Sequence, residues 1–294
     1  MKKCPYCGKE YSDDIERCVT DNELLLGGNP QTPQGNEEIT TSTTSSPLFK
    51  IASAIISSAT PWTERQLCIF EVVLVCAIAF GGGILSSAYY LLVPSYGGSG
   101  SESFDHGIYR WLVSFMREVS ALALLWYILM RRGKSFLDLG LTWARKDILW
   151  AVVLGFVGSL AFRAVYDAIY FVGLTAVSHK ASSEYVGNML FGAGISVVTI
   201  LFQFLNPFFE ELIVRAYVMT EVKRLTNSVT KAIIISTLLQ TSYHFYQGAP
   251  AAFGHMATFF IFSIFYAKTN RITPIILAHL YSDVSGTLWY MFRH

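Results

Sequence analysis

Three separated segments place ionisable residues in otherwise apolar sequence. Asn206-Pro207-Phe208-Phe209-Glu210-Glu211-Leu212-Ile213-Val214-Arg215 holds two adjacent carboxylates and an arginine. His244 lies in QTSYHFY, and His279 and Asp283 lie four apart in AHLYSD. A charge within a bilayer costs several kcal/mol unless it is paired or hydrated, so each is a candidate functional group. Glu211 and Arg215 have the spacing and order of a helical ion pair. That pairing leaves Glu210 about 100° round the helix, free to face another group. Pro207 frees backbone carbonyls just before the pair and loosens the helix where a site needs access. Glu210 is therefore the candidate general base, with His244 and His279 as candidate proton carriers or metal ligands.

Other intramembrane charges have plainer readings. Arg163 and Asp167 stand four apart and neutralise each other. Arg117 and Glu118 are adjacent, so their partners are expected elsewhere, and Glu71 is expected to sit hydrated near a membrane boundary.

A second chemical cluster opens the chain. Cys4-Pro5-Tyr6-Cys7-Gly8 puts two thiolates on one tight turn, and Cys18-Val19-Thr20-Asp21 repeats the spacing with aspartate in the fourth place. Residues 4–25 resemble a short zinc ribbon, which implies structural Zn²⁺ on Cys4, Cys7, Cys18 and Asp21. The alternative is a set of reduced thiols or a redox pair. A fragment this small cannot fold on its core alone, so metal would supply most of its stability. Cys68 and Cys76 fall in apolar sequence and read as small hydrophobes.

The elements that must position these groups follow from composition. The chain has 294 residues, 52% hydrophobic and 15% charged, with net charge +1 and mean hydropathy +0.41. Soluble domains are nearer 25% charged. The small net charge gives no electrostatic argument for nucleic acid. The apolar excess is gathered after Gln66. Residues 27–63 are rich in Gly, Pro, Ser, Thr, Asn and Gln and read as a flexible linker between a ribbon at 1–26 and a membrane domain at 64–294. The opening MKKCPYC lacks the apolar run of a cleavable signal, so a later span is expected to direct the chain to the bilayer.

Seven stretches could cross a hydrocarbon core of roughly 30 Å. They lie near 67–93, 109–131, 148–174, 189–218, 229–247, 251–267 and 272–292. The expected fold is an all-α polytopic membrane protein of about seven transmembrane helices, with the ribbon on its tether. With the N-terminus cytoplasmic, the loop cations gather inside, including Arg131, Arg132, Lys134, Arg145, Lys146, Lys223, Arg224 and Arg271. Only Arg110, Lys180 and Arg293 then fall outside. The ribbon would face the cytosol, where a docking partner is expected.

The three segments together resemble the CPBP family of intramembrane proteases, which includes bacteriocin-processing and immunity proteins and the CAAX prenyl endopeptidases. That family is marked by EExxxR, FxxxH and HxxxN or HxxxD on successive membrane helices. Glu210-Glu211…Arg215 fits the first and His279…Asp283 the third. The second fits only through His244, because Gln240 stands where Phe is usual, and Val214 and Ala216 replace a common Phe and Gly. These departures are expected at packing positions. The resemblance covers about 180–292.

It implies peptide-bond hydrolysis of a membrane-associated protein or peptide. In a metal-free scheme Glu210 and His244 activate water and the third motif steadies the oxyanion, a role in which Asp283 needs a proton to donate. In a metal scheme His244, His279 and a carboxylate hold a divalent ion, with Glu210 as base and Asp283 as ligand or as the partner fixing the His279 tautomer. Arg215 neutralises Glu211 in both. Two rival functions use the same residues. A binding or immunity scaffold would keep the fold without turnover, and a transporter would use the paired charges as a relay. The transporter predicts an inverted repeat, which the sequence lacks.

Overall fold

The computed structural model describes residues 2–3, 10–12, 14–15, 62–92, 104–172 and 197–293. By chain contacts it falls into two units, Met1–Phe70 and Glu71–His294. In the first, β1 (Lys2–Lys3) pairs antiparallel with β2 (Glu10–Tyr11), Lys2 opposite Tyr11 and Lys3 opposite Glu10. The expected zinc ligands Cys4, Cys7, Cys18 and Asp21 lie outside the described residues, as does the linker up to residue 61.

The first long helix, α1 (Glu64–Leu92), starts from a capping box. Thr63 Oγ1 accepts from the Gln66 backbone N–H at 3.2 Å, and Gln66 Oε1 accepts from the Thr63 N–H at 2.9 Å, so two orphan donors are satisfied reciprocally. Then follow α2 (Phe104–Arg131), α3 (Lys146–Phe171) and α4 (Val197–Glu210). Without a break α4 passes into a π-helical segment (Glu211–Val218) and α5 (Met219–Thr226). The chain continues as α6 (Val229–Ser242), a 3₁₀ turn (Phe245–Gln247), α7 (Ala249–Thr269) and α8 (Thr273–Arg293). Asn227 and Asn270, both left-handed, close α5 and α7.

Five of these segments are long and apolar enough to cross a bilayer: Glu64–Tyr89, Ile108–Arg131, Lys146–Phe171, Val197–Thr226 and Ala249–Thr269. This corrects the expected seven. The run read as a span over 229–247 is a helix of 14 residues ending at Ser242, about 21 Å at 1.5 Å per residue. The last helix has 21 residues but carries His279, Ser282, Asp283 and Ser285, which lower its hydropathy. Large apolar side chains such as Leu85, Leu149, Phe156 and Leu160 are exposed on α1 and α3. Water would not favour such a surface, whereas lipid tails would. The chain is an integral membrane protein.

The second unit has one apolar core drawn from α1 to α8, with Leu125, Ile213, Tyr217, Ile272 and Ile275 fully buried in it. Close helix contact rests on glycine between α3 and α7. A Cβ on Gly158 would lie 2.9 Å from Thr258 Cγ2, and one on Gly254 would lie 2.8 Å from the Phe162 ring. A Cβ on Gly155, one turn before Gly158, would meet only the Tyr281 ring, at 3.6 Å.

The boundary charges are paired. Glu71 is buried, not hydrated as expected, and it binds both Arg131 and Arg132. Arg132 also reaches Glu221 at 3.0 Å, and Arg224 holds the other Glu221 oxygen at 2.9 Å. Arg271 grips both oxygens of the buried Asp147 at 2.7 Å. Arg163 and Asp167 pair at 2.7 Å, as their spacing suggested.

Candidate active site

Pro207 lies inside α4 and cannot donate to the preceding turn. Four residues on, the helix widens into the π register, and all eight residues of that segment, Glu211 to Val218, are buried. Single π turns inside α-helices are frequent at functional sites. Here the segment aims Glu211 and Arg215 inward. Arg215 Nη1 lies 2.8 Å from Glu211 Oε2, and its guanidinium carbon sits 5.0 Å from the Phe259 ring and 5.7 Å from that of Phe262. The cation is thus held by an ion pair and by two aromatic rings of α7. Its Nη1 hydrogen is directed at the Gln240 side-chain oxygen, so the contact with Glu211 is an ion pair rather than an aligned hydrogen bond.

Gln240, on α6, organises the centre. Its oxygen accepts from Arg215, and its Nε2 donates to Glu210 Oε2 at 2.8 Å and lies 3.5 Å from Glu211 Oε1. The amide dipole therefore points its oxygen at the cation and its hydrogens at two carboxylates. The motif comparison places this position among packing residues; in the structure it is a hydrogen-bonding centre instead. An aromatic side chain there could make none of these bonds.

His244 follows one turn later, where the end of α6 leaves carbonyls without helical partners. One of them, Gln240 O, lies 2.7 Å from His244 Nδ1. A carbonyl only accepts, so Nδ1 carries the hydrogen and Nε2 keeps its lone pair for a substrate, a water or a metal. His279, on α8, is set the same way by a different partner. Its Nδ1 donates to Glu211 Oε1 at 2.8 Å, and its Nε2 faces Asp283 Oδ1 at 3.6 Å. The group fixing the His279 ring is therefore Glu211, and Asp283 stands on the opposite nitrogen. Asp283 is tied to α4 through Asn206 Nδ2 at 3.5 Å, and one turn further Gln203 bonds Thr287.

All five expected catalytic residues thus fall on or beside one network, with Arg215 supporting it. Glu210, Glu211, Arg215 and His279 are linked through side chains, His244 joins through the Gln240 backbone, and Asp283 joins through His279. Four further groups, to which the sequence reading gave no part, stand at the site. Glu118, on α2, is fully buried with both oxygens lacking a hydrogen-bond partner among the described residues, and its nearest cation is Arg117 at 3.9 Å. It lies in the field of Glu210, Asp283 and His279. The His255 ring packs 5.2 Å from His244 and is stacked on Phe259 at 5.7 Å. Tyr243 and Gln240 complete the list. Only Glu118 carried a usable signal, an acidic residue in an apolar run.

Ligand atoms of Glu210, Glu211 and His279 come within 4.8 Å of one another. His244 is not in that set. Two of the three are already joined, because Glu211 Oε1 accepts from His279 Nδ1 and Glu211 Oε2 faces Arg215. Both Glu211 oxygens are already engaged, so these donors fit a hydrogen-bonded network better than a metal cage. A separate apolar cleft of about 270 Å³ between α6 and α7, lined by Ile234, Thr237, Leu238, Met256, Ala257 and Phe260, shares no residue with the network.

The family described as Type II CAAX prenyl endopeptidase Rce1-like matches residues 192–285, which include every residue of the three motifs and less than half of the chain. No curated protein and no solved structure matches.

Proposed function

We propose that this protein is an intramembrane endopeptidase that hydrolyses a peptide bond of a membrane-associated protein or peptide. The observation that carries the reading is the single buried network joining Glu210, Glu211, Arg215, His244 and His279 from three separated segments. The matched family's description supports it and names prenylated CAAX sequences as the first substrates to try.

The chemistry follows from the hydrogen bonds. Gln240 occupies Glu210 Oε2, which leaves Oε1 to take a proton from water as the water oxygen attacks the carbonyl carbon. His244 Nε2, unprotonated, accepts the second hydrogen of that water and orients it. When the C–N bond breaks, Glu210 returns its proton to the leaving nitrogen. Glu211 holds the His279 ring and is itself neutralised by Arg215, so both act by positioning. The alternative scheme expects a divalent ion on His244, His279 and a carboxylate; the grouping in this structure would instead hold it on Glu210, Glu211 and His279, where it would acidify the water. Their mutual bonds disfavour it, and the steps above need none.

The hold of Gln240 on Glu210 favours one second reading, a scaffold of the same fold without turnover. A purified chain and its Glu210→Ala variant, given an internally quenched prenylated peptide in vesicles, separate the two. Turnover by the wild type that Glu210→Ala abolishes is expected. Equal signals from both proteins would remove the protease reading. For the N-terminal segment we propose a cytosolic zinc ribbon on Cys4, Cys7, Cys18 and Asp21, serving to dock a partner.

A further inference from the structure

A tetrahedral intermediate needs a hydrogen-bond donor where its oxyanion forms. The network described above is rich in acceptors and short of free donors. Glu210, Glu211 and Asp283, as carboxylates, have none to give. Gln240 Nε2 is taken by Glu210, Arg215 Nη1 by Gln240, His244 Nδ1 by a backbone carbonyl and His279 Nδ1 by Glu211. Arg215 Nε and Nη2 also lack hydrogen-bond partners among the described residues, but the guanidinium is fully buried against Phe259 and Phe262.

Tyr243 differs. Its side chain is buried, and its hydroxyl has no hydrogen-bond partner among the described residues. The hydroxyl lies beside the Glu210 carboxylate, within the fields of Glu211 and Arg215, without an aligned hydrogen bond to it. The surroundings hold the hydroxyl there. The ring is stacked on Phe80 of α1 with centroids 4.6 Å apart and planes within 1°. Below it, a Cβ at Gly83 would come 3.2 Å from Tyr243 Cβ, so glycine there lets α1 approach the base of the side chain. The adjoining His244 ring is 4.8 Å away. A donor held rigid and buried beside the base, with no aligned partner in the resting site, suits the preorganisation an oxyanion needs.

We propose that the Tyr243 hydroxyl is the oxyanion donor of this site, with Phe80 and Gly83 as positioning residues. As water attacks, the carbonyl π electrons move onto the oxygen and the hydroxyl donates to it without giving up its proton. When the C–N bond breaks, the electrons return and the hydrogen bond weakens. The bond strengthens only as charge develops, so it acts on kcat more than on KM. This inference rests on the endopeptidase reading.

The test uses the full chain in vesicles with the quenched prenylated peptide, and a phosphinate analogue of the same peptide as a tetrahedral mimic. Tyr243→Phe is expected to lower kcat about 10²–10³-fold, the scale of losing one oxyanion donor. KM should stay within about threefold, and the melting temperature should not fall. Phosphinate affinity should weaken by a factor comparable to the loss in kcat, and Phe80→Leu should show a smaller loss of the same kind. A Tyr243→Phe protein with undiminished kcat, or with unchanged phosphinate affinity, overturns the donor role alone. Absence of cleavage by the wild type overturns the donor role and the endopeptidase reading together.

Discussion

At the scale of single residues, the site turns on Gln240. Among the described residues, its amide alone bonds both the Arg215 cation and the Glu210 carboxylate. Gln240→Phe, which would restore the aromatic of the related motif, strips an acceptor from a buried guanidinium and a donor from a buried carboxylate. Leaving such groups unpaired costs about 1–3 kcal/mol each or more when charged. We expect Gln240→Phe to lower stability by about 2–5 kcal/mol and to abolish cleavage; a melting temperature equal to wild type would contradict this. Glu210, Glu211, Arg215, His244, His279 and Asp283 were legible in the sequence because ionisable residues in apolar runs announce themselves. Gln240 and Tyr243 were not. An uncharged amide or phenol in a helix has the same composition whether it packs or bonds, and only the neighbouring helices decide.

The elements show a different limit. Helix ends were legible to a few residues for α1, α2, α3, α7 and α8, where an apolar run meets loop residues. The run 229–247 misled because hydropathy does not register the break after Ser242, where the chain turns through the 3₁₀ segment and Gly248 at φ 90°. The π segment had no signature beyond Pro207. The turn between α2 and α3 was also invisible, and it carries a testable charge. Ser135 gives both its backbone N–H, at 2.7 Å, and its hydroxyl, at 2.8 Å, to Asp138 Oδ2. These bonds favour the ionised form and hold the Asp138 carboxyl below its ordinary value of 3.8. A carboxylate with a lowered folded value stabilises the native state above its unfolded value and loses that contribution as pH falls through the folded one. Asp138→Ala should therefore melt slightly lower than wild type at pH 6, with the gap closing below pH ~4. The difference is small because the group is exposed. A gap that widened in acid would refute the sign. Nearby, Gly140 has φ +82°, and a Cβ there would lie 2.0 Å from Asn270 O. Gly140→Ala is thus expected to destabilise the protein by more than about 1 kcal/mol, read as a fall in melting temperature.

At the largest scale, the described residues form a membrane protein of five spans and a polar last helix, whose buried charges are mostly matched. Metal content separates the proposed ribbon from the proposed active site. We expect about one zinc per chain by elemental analysis, lost in Cys4→Ser or Cys18→Ser and retained in His279→Ala. Loss of an equivalent of any metal in His279→Ala would favour the metal scheme instead. The ion-pair cluster of Glu71, Arg131, Arg132, Glu221 and Arg224 bears on how the protein is made. Its partners come from α1, α2 and α5, which leave the ribosome at different times. While α2 is being inserted, Glu71 has been synthesised and Glu221 has not, so Arg132 meets the insertion machinery with only part of its eventual neutralisation. The topological signal of those arginines is strongest in the nascent chain and is muted by assembly, so a charge map of the finished protein underestimates the bias that oriented it.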